Sequence, residues 1–361
     1  MSLRTTIVGC GAVAQRLYRK PLQMLEKRGI LQVAALVDPQ EQHAAALSRY
    51  FRSARTHRSL DEALASGSDL TLILTPAHLH CEQTVQALQH GSHVLCEKPM
   101  ANSATDCARM NAAASECSRV LAIGMVRRFF PAFAQFRDII QSGQLGALRC
   151  FEYHEGHRFD WDVTTPAAFR PRSSGGTGVL FDIGPHVVDH LQWTFGELEV
   201  SSYRDDALAG IESDAALQLR SPLGPGSMHI SWDCPHANEL RVFGSGGEAV
   251  LRVDRFDQLA LRREAGRFEP QPLSVSFRAD ASRSTGKRLS PKSYPEAVYV
   301  QLIQVVRAIE LGESPACDGR AGERCVRLLE AALARAEALP VPWLAPDDQA
   351  AFRRLHWRSV A

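Results

Sequence analysis

The sequence predicts an α/β fold of two domains: an N-terminal domain built on a doubly wound parallel sheet, then an α+β domain with a mainly antiparallel sheet. Three observations carry this. Strand-like and helix-like runs alternate with short connections from residue 1 to residue 126, the pattern of a parallel sheet covered on both faces. A glycine-rich turn, Gly9-Cys10-Gly11-Ala12-Val13-Ala14, follows the first strand-like run. Past Arg127 the alternation gives way to successive segments of two-residue period, the form of antiparallel strands with one covered face.

The first strand is Thr5–Val8, short, β-branched and apolar. Ala12–Glu26 reads as a helix ending near Gly29. Leu31–Val37 is the second strand, stopped by Asp38-Pro39. Helices are expected over Gln40–Tyr50 and Leu60–Ala65. Asp69–Leu74 is the third strand, closed by Thr75-Pro76, and a helix over Leu79–His90 ends at Gly91. Ser92–Cys96 is the fourth strand, Ser103–Cys117 an Ala-rich helix and Val120–Val126 the fifth strand.

Beyond the junction, a helix is expected over Phe133–Ser142, a strand over Ala147–His154, and a helix from about Gly178 to Phe195. Six alternating segments then read as strands: Leu198–Tyr203, Asp214–Leu219, Met228–Trp232, Glu239–Phe243, Ala249–Asp254 and Gln258–Arg263. Phe277–Lys292 is polar and basic without an apolar period, so it reads as a surface loop, with a flap as the alternative. Helices over Pro295–Leu311 and Gly319–Leu339 precede a Pro-rich tail. The domains are placed at 1–126 and 127–361, with the last helices able to pack back on the first domain.

Composition narrows the function. Of 361 residues, 45% are apolar, enough for a real core, and 41 basic against 40 acidic side chains leave a net charge of +1. No large field exists to draw nucleic acid or anionic lipid. The nine cysteines form no CxxC pair and their odd number cannot close fully into disulfides, which fits a reducing compartment. No apolar run reaches the ~20 residues of a membrane span, and no signal-peptide core precedes the first strand. The expectation is a soluble, cytoplasmic protein.

The glycine turn has a physical logic. Gly9 permits the tight turn, Gly11 lets backbone approach a pyrophosphate, and the small Ala14 lets the helix pack on the strand with its first N–H groups free for phosphate. Asp38 ends the second strand, where a carboxylate accepts from ribose hydroxyls and repels a 2′-phosphate; Pro39-Gln40 follow, with no basic residue beside them. That points to NAD rather than NADP. The same Asp would also serve as an N-cap for the next helix.

More specific text follows: Thr75-Pro76-Ala77-His78-Leu79-His80, then Cys96-Glu97-Lys98-Pro99, then Gly175-Gly176-Thr177-Gly178 leading to Asp182-Ile183-Gly184-Pro185-His186. In register with the GxGxxA turn, these resemble the glucose–fructose oxidoreductase, inositol dehydrogenase and rhizopine-catabolism (Gfo/Idh/MocA) family over almost the whole chain. The resemblance implies a Rossmann domain over 1–126 that binds the dinucleotide and, over 127–361, a domain with a large open sheet for substrate and subunit pairing. It implies hydride transfer between a nicotinamide and a secondary alcohol or ketone of a sugar or cyclitol, with substrate held between the domains and a homodimer or homotetramer as the assembly. It implies cofactor contacts from Gly9, Gly11, Ala12, Val13, Ala14, Asp38, Thr75, Pro76, His80, Glu97 and Lys98. Its motif lysine corresponds to Lys98, and its motif aspartate and histidine to Asp182 and His186.

The residue chemistry agrees. Alcohol oxidation loses a proton as hydride leaves, and an imidazole near neutral pKa is suited to take it. Asp182 and His186 are four apart, so one helical face carries both. Lys98 ends a strand, where open α/β sheets place ligands. His186 is therefore assigned as acid/base, Lys98 as electrostatic and relay partner, and Asp182 as orienter. The substrate side adds His154, Arg158 and Trp161 from the segment after the second domain's first strand, with Arg170 before the glycine-rich turn and Arg128 at the junction. Three rival readings stand beside this. His186 and His190 share the i, i+4 spacing of a zinc pair, but Val187 replaces the glutamate of an HExxH site, and no metal is expected. A non-catalytic dinucleotide-binding regulator would be expected to lose Lys98 or His186. Glycoside cleavage through transient oxidation would use the same residues.

Overall fold

The computed structural model describes residues 2–159, 177–207, 210–263, 266–281, 286–340 and 345–360. The chain divides into two compact units, one of residues 1–130 with 276–326 and one of 131–275 with 327–361.

The first unit is built on six parallel strands in the order β3-β2-β1-β4-β5-β6. These are β1 (Leu3–Val8), β2 (Leu31–Val37), β3 (Arg55–His57), β4 (Leu70–Ile73), β5 (His93–Cys96) and β6 (Leu121–Ile123). The order reverses between β1 and β4, and the crevice at the carboxyl ends of those strands is where such sheets take ligands. Every residue of β4 is buried, as a strand covered on both faces requires. The helix after β1 contains a π stretch, Ala14–Tyr18, before its α segment Arg19–Lys27. Pro21 lies in the next turn; it lacks an N–H and crowds the Leu17 carbonyl four residues back. The helix Tyr294–Leu311 belongs to this unit and packs on the Arg19–Lys27 helix.

The second unit carries a nine-stranded mixed sheet, β14-β13-β12-β11-β7-β10-β9-β8-β17. Its strands are β7 (Leu148–Gly156), β8 (Glu199–Asp205), β9 (Asp214–Ser221), β10 (Gly224–Ser231), β11 (Glu239–Gly244), β12 (Gly247–Arg252), β13 (Leu259–Arg262), β14 (Glu269–Pro270) and β17 (Ala336–Ala338). Among the described strands of this sheet, the β7–β10 and β8–β17 pairs are parallel and the others antiparallel. Phe151, Tyr153, Met228 and Ile230 alternate into the core, and the intervening side chains His154 and His229 are half-buried on the other face.

Several elements depart from the sequence expectations. β3 was not anticipated: its Arg-Thr-His has no apolar residue, because it lies at a sheet edge where only one side is paired. Phe277–Lys292 is not a featureless loop. It contains a two-stranded ribbon of β15 (Phe277–Arg278) and β16 (Arg288–Leu289), with Phe277 against the Phe129 ring at 5.6 Å. The helix from Gly319 ends at Leu333, and the next residues join the sheet as β17 instead of extending the helix to Leu339. The Pro-rich tail contains a helix, Pro346–Val360. The sequence reading allowed the last helices to pack back on the first domain; residues 276–326 group with the first unit, where Ala297, Val300 and Ile303 of the helix Tyr294–Leu311 are fully buried. No helix among the described residues is long and apolar enough to cross a membrane.

Candidate active site

The glycine turn is built as the motif requires. Gly9 has φ +86°, and a Cβ there would lie 2.8 Å from the carbonyl carbon and oxygen of Leu74 at the end of β4. The turn is thus drawn tightly onto the switch point, and only glycine satisfies both the dihedral and the approach. Asp38 holds the turn's other side. Its Oδ2 accepts from the Cys10 N–H at 2.9 Å and its Oδ1 from the Gln40 N–H at 2.8 Å. The helix Glu41–Ser48 has Gln40, not Asp38, as its N-cap, so the capping alternative for Asp38 fails and a tighter turn replaces it. His43 Nδ1 lies 3.4 Å from Asp38 Oδ2. Ala14 is buried under the turn, and Gly11, Ala12 and Val13 are half-buried at the helix start.

Thr75 and Pro76 follow β4 beside this turn, with the Thr75 hydroxyl donating to Gln83 Oε1 at 2.6 Å. His80 is buried. Its ring spans two carbonyls, Nε2 to Thr75 O at 2.7 Å and Nδ1 to Pro99 O at 2.9 Å. Burial lowers its pKa. His80 thus lies between the Thr75 and Pro99 carbonyls that follow β4 and β5, and its single N–H donates to one of them. Glu97 is also turned inward. Its Oε1 accepts from the Tyr18 hydroxyl at 2.5 Å and its Oε2 from the Lys98 N–H at 3.0 Å. Gln301 Nε2 donates in turn to Tyr18 at 3.1 Å. Gly124 leaves the room: a Cβ there would meet Glu97 Oε1 at 2.7 Å. Burial pushes the Glu97 carboxyl up, opposed by the Tyr18 hydrogen bond and by Lys98. Lys98, half-buried, follows directly at the carboxyl end of β5, and its bond to Pro99 is cis.

In the second unit, Asp182 ends the short helix Val179–Asp182 and His186 lies in the first turn of Gly184–Phe195. Ile183 between them has helical dihedrals, φ −80° and ψ −39°, so the two side chains keep the one-turn relation that the spacing predicted. Both are half-buried. Trp232 Nε1 donates to Asp182 Oδ2 at 3.3 Å. Glu212 is fully buried at the helix entry, accepting from Leu180 N–H at 3.0 Å through Oε1 and from Val179 N–H at 3.0 Å through its main chain. A Cβ on Gly178 would strike that carboxylate at 2.2–2.4 Å. Side chain and main chain of Glu212 thus each accept one orphan N–H at the helix start.

The other expected residues scatter. Arg128 donates to the Ala316 carbonyl within the first unit. Arg158 is exposed. His154 is on β7, in a group with His229 and His236. Trp161 and Arg170 lie outside the described residues, as do Gly175 and Gly176. His190 is buried among aromatic rings, 4.6 Å from Phe133 and 6.1 Å from Phe136 by centroid, the setting of a core histidine. No disulfide joins any of the nine cysteines; Cys10, with its pKa raised to about 12 chiefly by burial, is a packing residue of the turn. Sequence reasoning missed Tyr18, Glu212 and Trp232. Their contacts span 79, 32 and 50 residues and have no local signature.

A dinucleotide turn on a six-stranded Rossmann sheet, joined to a second unit with an open mixed sheet, defines a two-domain nicotinamide-dependent oxidoreductase. Residues 3–125 match the oxidoreductase family of NAD-binding Rossmann fold named Gfo/Idh/MocA, and residues 133–250 match the Gfo/Idh/MocA C-terminal domain. The chain belongs to that family. It is 30% identical over 262 residues to the rhizopine catabolism protein MocA of Rhizobium meliloti, covering 69% of this chain and 78% of that protein. It is 28% identical over 217 residues to inositol 2-dehydrogenase of Burkholderia multivorans, 56% of this chain and 57% of that enzyme. Levoglucosan dehydrogenase, solved in complex with NADH and levoglucosan, shares the fold with a TM-score of 0.78 at 19% identity, over 93% of this chain and 97% of that one.

Proposed function

We propose that this protein oxidises a secondary alcohol of a sugar or cyclitol, or reduces the matching ketone, with NAD as the preferred carrier. The observation that carries the reading is the pairing, within one unit, of a finished phosphate-binding turn at the switch point with a lysine anchored at the carboxyl end of β5. Relatives named for inositol and glucoside oxidation support the substrate class.

The residues present fit a dinucleotide. Gly9 leaves the close approach open, the helix N-terminus beyond Gly11 offers N–H groups to phosphate, and Asp38 presents a carboxylate where an adenosine ribose is read. When bound, the nicotinamide supplies a two-electron acceptor. The chain supplies the rest. His186 takes the hydroxyl proton, and Asp182, held by Trp232, orients the imidazole and supports its charged form. The Lys98 ammonium stabilises negative charge on the substrate oxygen, and Glu97 sets the backbone that carries it. Asp38 with Pro39-Gln40 after it supports NAD over NADP.

A screen of cyclitols, sugars and nucleotide sugars with NAD and NADP, read by absorbance of the reduced nicotinamide, tests the function. Turnover with an unrelated alcohol class, or with none of these under either cofactor, would refute it.

A further inference from the structure

We propose that the second unit holds a divalent transition metal of the zinc class on the three imidazoles of His154, His229 and His236. His154 and His229 are direct neighbours on the parallel strands β7 and β10, on the same face of the sheet. His236 comes from the segment between β10 and β11 and folds back over β7. One ring nitrogen from each lies within 4.8 Å of the others. In a tetrahedral site with Zn–N near 2.0–2.1 Å, ligand nitrogens stand about 3.3 Å apart. The rings therefore close on an ion by roughly 1.5 Å at most, within the reach of side-chain rotation.

Two further features mark a built site. Asp214 Oδ1 accepts from His229 Nε2 at 2.7 Å. With that proton given to the carboxylate, the lone pair of His229 stands on Nδ1. A carboxylate that fixes the tautomer and orientation of a ligating histidine is the usual outer partner of a zinc ion. The second feature is His236. Its Nε2 is buried without a hydrogen-bond partner, an arrangement that costs free energy unless something binds there.

The backbone invests in this placement. Ser231 Oγ accepts from the Asp233 and Cys234 N–H groups, Asn238 Oδ1 accepts from Gly156 N–H at 2.9 Å, and His236 N–H donates to Gly156 O. A Cβ on Gly156 would meet the Cys234 carbonyl oxygen at 2.1 Å and the His236 ring at 2.6 Å, so glycine at 156 is what lets the histidine lie against the strand. Three imidazoles leave the fourth position to water or a small anion, and imidazole donors select zinc, copper, nickel or iron rather than magnesium or calcium.

The test uses the full chain, free of any affinity tag and stripped with chelator. Zinc or cobalt(II) is added, excess removed by dialysis, and bound metal counted per chain. The expected result is one ion per chain, a cobalt spectrum of tetrahedral nitrogen ligation, and a raised melting temperature with zinc. His229→Ala and His236→Ala each abolish retention with an unchanged far-ultraviolet spectrum, and Asp214→Asn weakens affinity by about 10–100-fold. Should a histidine variant fail to fold, the wild-type cobalt spectrum still decides. Thiolate charge-transfer bands, no retained metal, or retention in both folded alanine variants would overturn the proposal.

Discussion

Asp38 Oδ2 accepts the Cys10 N–H at 2.9 Å, so the carboxylate at the end of β2 holds the glycine turn in place. The carboxylate sets the shape of the turn, and the proposed preference for NAD rests on the same group. Asp38→Ala leaves the buried Cys10 N–H without its acceptor, which costs about 1–3 kcal/mol, and raises KM for NAD. Asp38→Ser keeps an acceptor within the turn but removes the negative charge. It is expected to narrow the NAD-to-NADP ratio of kcat/KM, and steady-state kinetics with both cofactors measure it.

Gly9→Ala places a Cβ 2.8 Å from the Leu74 carbonyl in a dihedral region that L residues rarely adopt. Strain of this kind costs on the order of 1–3 kcal/mol. Relieving it pushes the turn off β4, so dinucleotide affinity falls together with melting temperature. Calorimetry of NAD binding checks the first and a thermal scan the second; unchanged affinity would show that the turn does not carry the pyrophosphate.

Lys98→Ala and His186→Ala are expected to lower kcat by roughly 10²–10⁴-fold, the usual weight of a positioned acid/base or charge-stabilising group. Binding of NAD persists in His186→Ala, whose residue belongs to the second unit. Trp232→Phe removes only the indole N–H from Asp182. Its expected signature is a smaller fall in kcat with a shifted pH profile, because Asp182 then orients the imidazole less firmly.

What the sequence disclosed and what it withheld follow one physical division. The tight turn at Gly9, the strand end at Asp38 and the one-turn spacing of Asp182 and His186 were legible because each is a local feature: a turn, a strand end, a helical turn. The strands of both sheets were legible wherever one face alternates or both faces are apolar. β3 was not, because an edge strand needs no apolar residues. The supports of the site were not legible either. Tyr18 reaches Glu97 across 79 residues and Gln301 reaches Tyr18 across 283, and His154 meets His229 only through the parallel pairing of β7 with β10. Such partners are chosen by sheet order and register, which no local pattern encodes.

The buried Glu97 gives a prediction whose sign is fixed by its surroundings. Burial raises the carboxyl pKa on folding and outweighs the lowering by Tyr18 and Lys98. A pKa raised on folding means that the folded chain binds the proton more tightly than the unfolded one. Its stabilising contribution is then fully present below the unfolded value, about 4.3, and is lost as pH rises through the raised folded value. Glu97→Gln carries no such proton. Its amide still accepts from Tyr18 but sets an N–H group against the Lys98 N–H, a fixed cost independent of pH. The stability of wild type relative to Glu97→Gln should therefore decline as pH is raised from about 4.5 towards neutrality. Urea unfolding at several pH values measures this difference. A difference that stays flat, or grows with pH, would mean that Tyr18 and Lys98 hold the carboxylate ionised against its burial, and that the support beneath Lys98 is an anion rather than a shared proton.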